Sequence, residues 1–468
     1  MGFPRVCARD PAGALVLSAL LVVQAPGCAS TDAARDHSEA AALVGARGGV
    51  PAPAWATPGG AVESAPAEWD GVSDLGEDQA VALALAHSPM IRAELERVSA
   101  ARADLVQAGL LPNPMVNVSA LWPIGDPDAA TAWSASAMEQ LSWLWLREPR
   151  TRAASHRLRA AVLGVSDTAL GLVFEVRATH AGVVSAQRAA TAALDGARSA
   201  SELARLARAR LDAGESTEPE LNRFLIEEAE AQARRVRLAA EFEGGKRRLL
   251  GLLGRSGADA AWDAVGGPAS RWSDLDGLAE EEVIGLALRR RLDAAEARAL
   301  ARASGYMLDE ARLMRLGEAS AGPMFERTED RMEMAGVGLA VMVPILDTGA
   351  ARVARGRADS RRMALEANEL AERAVREARV GWHEARARAE AAERYGSEIV
   401  RRREQNLRIA EQSLEAGEAD LTEVLMARLA LSQARVELAQ MEAEAAEAFF
   451  GLERAVGGRL ARREPPAR

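Results

Sequence analysis

Two very long helical stretches constrain this chain more than any other feature of its sequence. The first runs from about Glu148 to Asp212 and the second from Gly349 to Glu415, and after a glycine break each is followed by a further helical stretch. About 65 helical residues at 1.5 Å each make a rod of about 100 Å, which must pack laterally against other helices. Leucines spaced seven residues apart in the second hairpin predict coiled-coil packing there: Leu407, Leu414 and Leu421, and then Leu431, Leu438 and Leu452 around Ala445.

The chain contains one structural unit twice. A shift of 203 residues places Leu211–Glu215 (LDAGE) on Leu414–Glu418 (LEAGE), and Glu220 on Glu423. In each copy a helix precedes two strand-like runs and then the long helical hairpin. We therefore predict a first repeat over residues 72–257, a connector over 258–277, a second repeat over 278–457 and a C-terminal tail over 458–468.

Each repeat carries a pair of predicted strands. Val116 and Val118 alternate with Asn117 and Ser119, which is the period of a sheet with one apolar and one wet face. The four predicted strands are Met115–Trp122, Thr131–Gln140, Gly317–Arg327 and Met332–Val343. Their preceding helices are predicted as single elements, Leu75–Leu110 and Leu278–Leu316.

Four strands form an open sheet with unpaired edges, and a bilayer does not tolerate such edges. Four strands are also too few to enclose a passage, whereas three chains would contribute twelve. The predicted fold is therefore mainly α with a small β part. Trimerisation would bring four strands from each chain into a shared 12-stranded transmembrane β-barrel.

The N-terminal residues have the pattern of a secretory signal. Arg5 and Arg9 precede an apolar run of about ten residues, too short to span a membrane, and small residues lead to Cys28. We predict a lipoprotein signal peptide over residues 1–27 with acylation at Cys28; an ordinary signal peptide is the alternative. Residues 28–71 are rich in Ala, Gly and Pro, which predicts a flexible tether.

Composition excludes several classes of function. The net charge of −10 argues against a nucleic-acid partner, and both cysteines, Cys7 and Cys28, lie in the first 30 residues. The five histidines are scattered without ligand spacing, and His383 beside Glu384 is a lone pair on a helix. We therefore predict no catalytic site, no metal site and no cofactor.

In its order of elements the chain resembles the TolC-like outer-membrane efflux proteins, and in particular their lipid-anchored branch. The matching stretches are Ala82–Pro89, Leu110–Pro114, Val341–Gly349 and the two Leu-x-Ala-Gly-Glu turns, within residues 72–457. One departure is Arg291-Leu292-Asp293, where many members have Arg-Pro-Asp. The resemblance implies an outer-membrane channel of a tripartite efflux or type I secretion system, in which the long helical hairpins form a trimeric periplasmic barrel beneath the 12-stranded β-barrel. Its partners would be two further copies, a periplasmic adaptor and an inner-membrane pump.

The resemblance also implies which residues would line the periplasmic entrance. Glu220 and Glu423 match acidic positions just past the turns that ring the aperture in relatives, with Asp420 as a further candidate. Arg223 and Arg428 are near enough in sequence to pair with them. Gly214, Glu215, Gly417 and Glu418 would contact the adaptor. The plainer interpretations, a solvated helix face for the glutamates and simple helix termination for the turns, stay open.

Two groups of side chains near the strands have competing interpretations. Four tryptophans, Trp122, Trp133, Trp143 and Trp145, suit anchoring at a membrane interface or packing where helix meets barrel. Met332, Met334 and Met342 suggest soft-metal binding, although gap-filling in a barrel wall is favoured. The alternative for the whole chain is a periplasmic coiled-coil adaptor or scaffold lipoprotein, but the sequence has no β-rich blocks flanking a single hairpin.

Overall fold

The computed structural model describes residues 30–53, 55, 69–124, 130–257, 261–266, 275 and 277–460 of the 468-residue chain. The predicted signal peptide, Cys28 and most of the C-terminal tail lie outside the described residues. No helix of the described part is both long enough and apolar enough to cross a membrane.

The elements follow the order helix, strand pair, helical hairpin, twice. The first copy comprises α1 (Ala34–Gly48), β1 (Leu75–Gly76), α2 (Glu77–His87), α3 (Pro89–Gly109), β2 (Met115–Leu121), β3 (Ala132–Gln140), α4 (Trp143–Asp212) and α5 (Glu218–Leu252). The second comprises β4 (Ala264–Val265), α6 (Glu280–Arg290), α7 (Leu292–Leu313), β5 (Ala319–Arg327), β6 (Glu333–Val341), α8 (Ala350–Arg394), α9 (Arg401–Glu415) and α10 (Leu421–Val456). A π-helical turn, Tyr395–Val400, joins α8 to α9.

Backbone features recur at the 203-residue separation. Gly214 and Gly417 have φ of 75° and 76°, and Gly254 and Gly457 have φ of 72° and 76°. Ser88 and Arg291, also 203 residues apart, are both extended and divide each predicted single helix into two. Ser88 precedes Pro89, which disfavours helical φ and ψ at the preceding residue.

The core is built around α4, which is 70 residues and therefore about 105 Å long. It packs against α5, α7 and α10, and alanines supply many of its buried positions. Small side chains allow the helices to approach closely. At Gly196, for example, a β-carbon would overlap the side chain of Ser432 on α10.

The four-stranded sheet is antiparallel with the order β2-β3-β5-β6. Met115 pairs with Met138, Trp133 with Arg327, and Gly322 with Gly338. Within the described residues β2 pairs only with β3 and β6 only with β5, so the outer edge of each is free. A second, two-stranded parallel sheet pairs β1 with β4.

The structure corrects the predicted tether over residues 28–71. Residues 34–48 form α1, which lies against α4 with Ala40 and Val44 fully buried. Arg102 on α3 donates two hydrogen bonds to Asp36, at 2.7 and 2.6 Å, and Arg177 on α4 donates one to the Gly48 carbonyl at 2.8 Å. The tether prediction was wrong for this segment because these distant partners compensate for its few large apolar groups.

Candidate functional site

The two hairpin turns have the same geometry. In the first, Glu215 N donates to Arg210 O at 2.8 Å and Gly214 N to Leu211 O at 2.9 Å. In the second, Glu418 N donates to Ser413 O at 2.8 Å and Gly417 N to Leu414 O at 3.1 Å. These bonds define a Schellman motif, which satisfies the last helix carbonyls and requires a left-handed residue. A β-carbon on either glycine would meet no atom within 4 Å, so the backbone conformation alone favours glycine.

Asp420 starts the second leg of the second hairpin. Its Oδ1 accepts a hydrogen bond from Glu423 N at 3.1 Å, so it caps the N-terminus of α10. Its other oxygen, Oδ2, accepts from Arg210 Nη2 at 2.6 Å. The Arg210 guanidinium holds the pKa of the Asp420 carboxyl below its usual range. This pair connects the end of α4 in the first hairpin with the start of α10 in the second.

Glu220 and Glu423 are both exposed in the first turn of the helix that follows each glycine turn. Ser216 Oγ donates to Glu220 Oε2 at 3.0 Å. Arg428 forms an ion pair with Glu411 at 2.9 Å, so the predicted pairing of Arg428 with Glu423 was wrong. The structure thus brings Asp420 into an ion pair and leaves the two predicted aperture glutamates facing solvent.

The sheet has two unlike faces. Residues opposite each other in register share a face, which places Val116, Val118, Trp133, Phe325, Val337 and Leu339 on one, the apolar face. Charged residues lie at both ends of this face. Glu139 is at one end, and Arg327 lies opposite Glu333 in the strand register at the other. The opposite, polar face carries Asn117, Ser119, Ser134, Ser136, Gln140, Ser320 and Glu326. Both faces are largely accessible in the single chain.

The tryptophans near the strands have different roles. Trp133 stacks on Phe325 on the apolar face with ring centroids 5.1 Å apart, and Trp122 is exposed just after β2. Trp143 Nε1 donates to Leu110 O at 2.9 Å and so joins the start of α4 to the segment leading into β2. The interface and packing interpretations therefore both stay open, for different members of the group.

A cluster of charged side chains between α4, α7 and α8 was missed at the sequence level. Arg291 pairs with Asp293 at 2.6 Å and also contacts Glu377. Burial, with Asp167 and further carboxylates nearby, raises the pKa of Glu296 to about 7. Burial likewise raises the pKa of Asp167. Asp167 and Glu377 lie 124 and 86 positions from Arg291 in the sequence, so no local pattern indicates that these side chains meet.

Among the described residues, no group of three or more His, Cys, Asp or Glu is arranged to hold a metal ion. The predicted aperture and adaptor-contact residues lie at the free ends of the hairpins. The sheet lies at the opposite end of α4, which begins just after β3 and ends just before the first glycine turn. The molecule therefore has two separate candidate regions, the hairpin tips and the sheet.

No protein-family model and no curated protein sequence matches this chain. Solved structures do match. A membrane protein from Pseudomonas aeruginosa aligns over 84% of this chain and 95% of its own, with 19% identity and a TM-score of 0.66. The outer-membrane channel OprN aligns over 87% and 99%, with 18% identity and a TM-score of 0.65. The outer-membrane protein VceC from Vibrio cholerae aligns over 82% and 97%, with 17% identity and a TM-score of 0.63. The chain therefore has the TolC-like fold, as the sequence predicted.

Proposed function

We propose that this chain is the outer-membrane channel component of a tripartite efflux or type I secretion system. It would receive substrates from an inner-membrane pump and a periplasmic adaptor and conduct them across the periplasm and the outer membrane. The TolC-like fold supports this assignment, because OprN is described as an outer-membrane channel.

The sheet is the observation that carries the proposal. It combines an apolar face, a polar face and two edges left free within the described residues. Strands β3, β5 and β6 have nine residues each, which matches the 9–11 residues of a transmembrane strand. Three chains joined edge to edge would close twelve strands into a barrel, with the apolar face toward lipid and the polar face toward water.

The hairpin tips would form the periplasmic entrance. Threefold symmetry would bring Glu220 and Glu423 together as six carboxylates, which repel one another unless cations are bound. Such a ring would favour cations at the aperture. The turns at Gly214, Glu215, Gly417 and Glu418 would contact the adaptor, because all four residues are exposed at the ends of the hairpins.

Membrane attachment completes the proposal. Acylation at Cys28 would anchor the chain in the outer membrane, from which the hairpins would extend into the periplasm.

Reconstitution tests the proposal directly. Purified protein should have the mass of three chains by light scattering and should form water-filled channels in planar bilayers. A monomer without conductance would refute it. In the same bilayers, Glu220→Gln with Glu423→Gln should lower selectivity for cations, whereas Glu366→Gln, on α8, should not. Unchanged selectivity in the double variant would contradict the proposed cation filter but not the proposed channel.

A further inference from the structure

Methionines in the sheet are confined to one face. Each of the four strands contributes one: Met115 from β2, Met138 from β3, Met324 from β5 and Met334 from β6. By register all four share the polar face with serine and asparagine, and in the strands as described none lies on the apolar face. We name these four residues the methionine cluster. Apolar side chains that merely fill space would be expected on the apolar face as well.

The cluster is continuous across the sheet. Met138 lies directly opposite Met115. The Met138 and Met324 Sδ atoms lie 3.5 and 3.6 Å from one point, the position of a β-carbon at Gly338. Met334 is diagonal to Met324, since their register partners are Glu326 and Gly336, and a diagonal pair about 7–8 Å apart is within reach of long side chains.

Glycines occupy the sheet positions next to the sulfur atoms of Met138 and Met324. Gly338 pairs with Gly322, and Gly336 pairs with Met324. At Gly322 a β-carbon would come within 1.8 Å of the Ala137 carbonyl oxygen, so only glycine fits there. With no side chain at these three positions, the thioethers converge over bare backbone.

The cluster is open to solvent. Met115, Met324 and Met334 expose 66%, 39% and 44% of their surface. Methionine that fills gaps in a core is buried, and these side chains are not. Exposed thioethers that converge on a polar face have a distinct chemistry, because sulfur donors of this kind select soft cations such as copper(I) over hard ones.

We propose that the methionine cluster binds a soft monovalent metal ion, copper(I) or silver(I), with Met138 and Met324 as the central ligands and Met115, directly opposite Met138, as a further donor. Binding needs no change of oxidation state. The site is complete within one chain, so it goes beyond the channel proposal and does not depend on trimer formation.

Silver(I) is a suitable probe because it is stable in air. Full-length protein labelled with ¹³C at the methionine methyl groups would be titrated with silver nitrate in chloride-free buffer and followed by methyl NMR. The methyl signals of Met138 and Met324 should shift and saturate, whereas those of Met363 and Met441 on the helices should not. Potassium at the same concentration should shift none of them.

Substitution assigns the site. Met→Leu approximately conserves apolar volume, so Met138→Leu with Met324→Leu should keep the fold while weakening silver(I) binding about ten-fold or more, equivalent to about 1.4 kcal/mol. The matched control, Met363→Leu with Met441→Leu, should bind as the wild type does. Uptake of silver(I) without a shift of the cluster signals, equal shifts at all methionines, or unchanged affinity in the Met138/Met324 variant would overturn the proposal. Bilayer conductance tests the channel separately.

Discussion

Glu296 illustrates how a single buried carboxyl group makes the fold sensitive to pH. Both of its carboxylate oxygens lie 3.2 Å from the position of a β-carbon at Gly164, so α7 packs this side chain directly onto α4. Burial is the main cause of its raised pKa; Asp167, Glu94 and Asp293 act in the same direction, and Arg97 opposes them. The charged form is therefore disfavoured in the folded chain.

We predict that Glu296→Gln stabilises the protein above neutral pH. A raised folded pKa contributes stability below about pH 4.5, and this contribution is lost as the pH rises through about 7. Because solvent partly screens the site, we expect the free energy of unfolding of the variant to exceed that of the wild type by about 1–2 kcal/mol at pH 8 and by little at pH 4.5. Thermal unfolding at both pH values measures this, with exposed Glu366→Gln as control. An equal gain at both pH values would point to packing instead.

The Arg210–Asp420 pair at the tips is exposed, so its ionic and capping roles should separate by substitution. Asp420→Asn keeps a good N-cap but loses the charge, and Arg210→Gln loses the charge alone. Both should destabilise the tip only slightly, because both side chains of the pair are exposed to solvent. Asp420→Ala also loses the cap, at a further cost of about 1 kcal/mol.

Hydrogen exchange of peptides that span residues 418–426 measures this local stability. Exchange should be several-fold faster in Asp420→Ala than in Asp420→Asn. The folded pKa of Asp420 is lowered from its ordinary value of 3.8. The stabilisation by the pair should therefore be fully present above about pH 3.8 and be lost as the pH falls through the lower pKa of the folded state. Equal rates in the two variants would mean that the cap contributes nothing.

At the scale of elements, α1 depends on contacts with distant residues. Asp36 is almost completely buried and binds Arg102 bidentately, and His37 Nε2 lies 3.2 Å from the Leu95 carbonyl oxygen. The Arg177 guanidinium, fully buried, binds Gly48 O at the other end of the helix. Asp36→Asn should therefore lower stability by about 1–3 kcal/mol, because Arg102 loses its charged partner.

Limited trypsin cleavage after Arg47, together with thermal unfolding, measures that loss. Glu39→Gln is the control, since Glu39 pairs with Arg159 and both are about half exposed, so its effect should stay below about 0.5 kcal/mol. If the two variants behave alike, Asp36 does not hold α1 in place.

The elements also indicate what a single sequence can predict. The hairpins, the glycine turns and the four strands follow from local patterns, because helix termination at Gly214 and alternation at Val116 and Val118 are local effects. The break at Ser88 was readable from Pro89 but was missed. The break at Arg291 has no proline; its side chain binds Asp293 and Glu377, and the latter is 86 residues away. The pairing of Asp420 with Arg210, 210 residues apart, was likewise beyond local patterns.

For the whole molecule, the two faces of the sheet make the channel proposal testable with neighbouring residues. Val118 lies on the apolar face and Ser119 on the polar face of the same strand, opposite Ala135 and Ser134. If the apolar face meets lipid, Val118→Arg should cost about 2–4 kcal/mol per chain near the bilayer midplane. Ser119→Arg would instead place its charge in the water-filled lumen.

We therefore predict that Val118→Arg reduces the amount of trimer recovered from outer membranes, while Ser119→Arg assembles normally and lowers cation conductance. Semi-native electrophoresis of membrane extracts and planar-bilayer recordings measure the two effects. Helical content by circular dichroism should match the wild type in both variants, because neither residue contacts the helical core. Equal tolerance of arginine at both positions would mean that the apolar face does not meet lipid, and the twelve-stranded barrel would then be wrong.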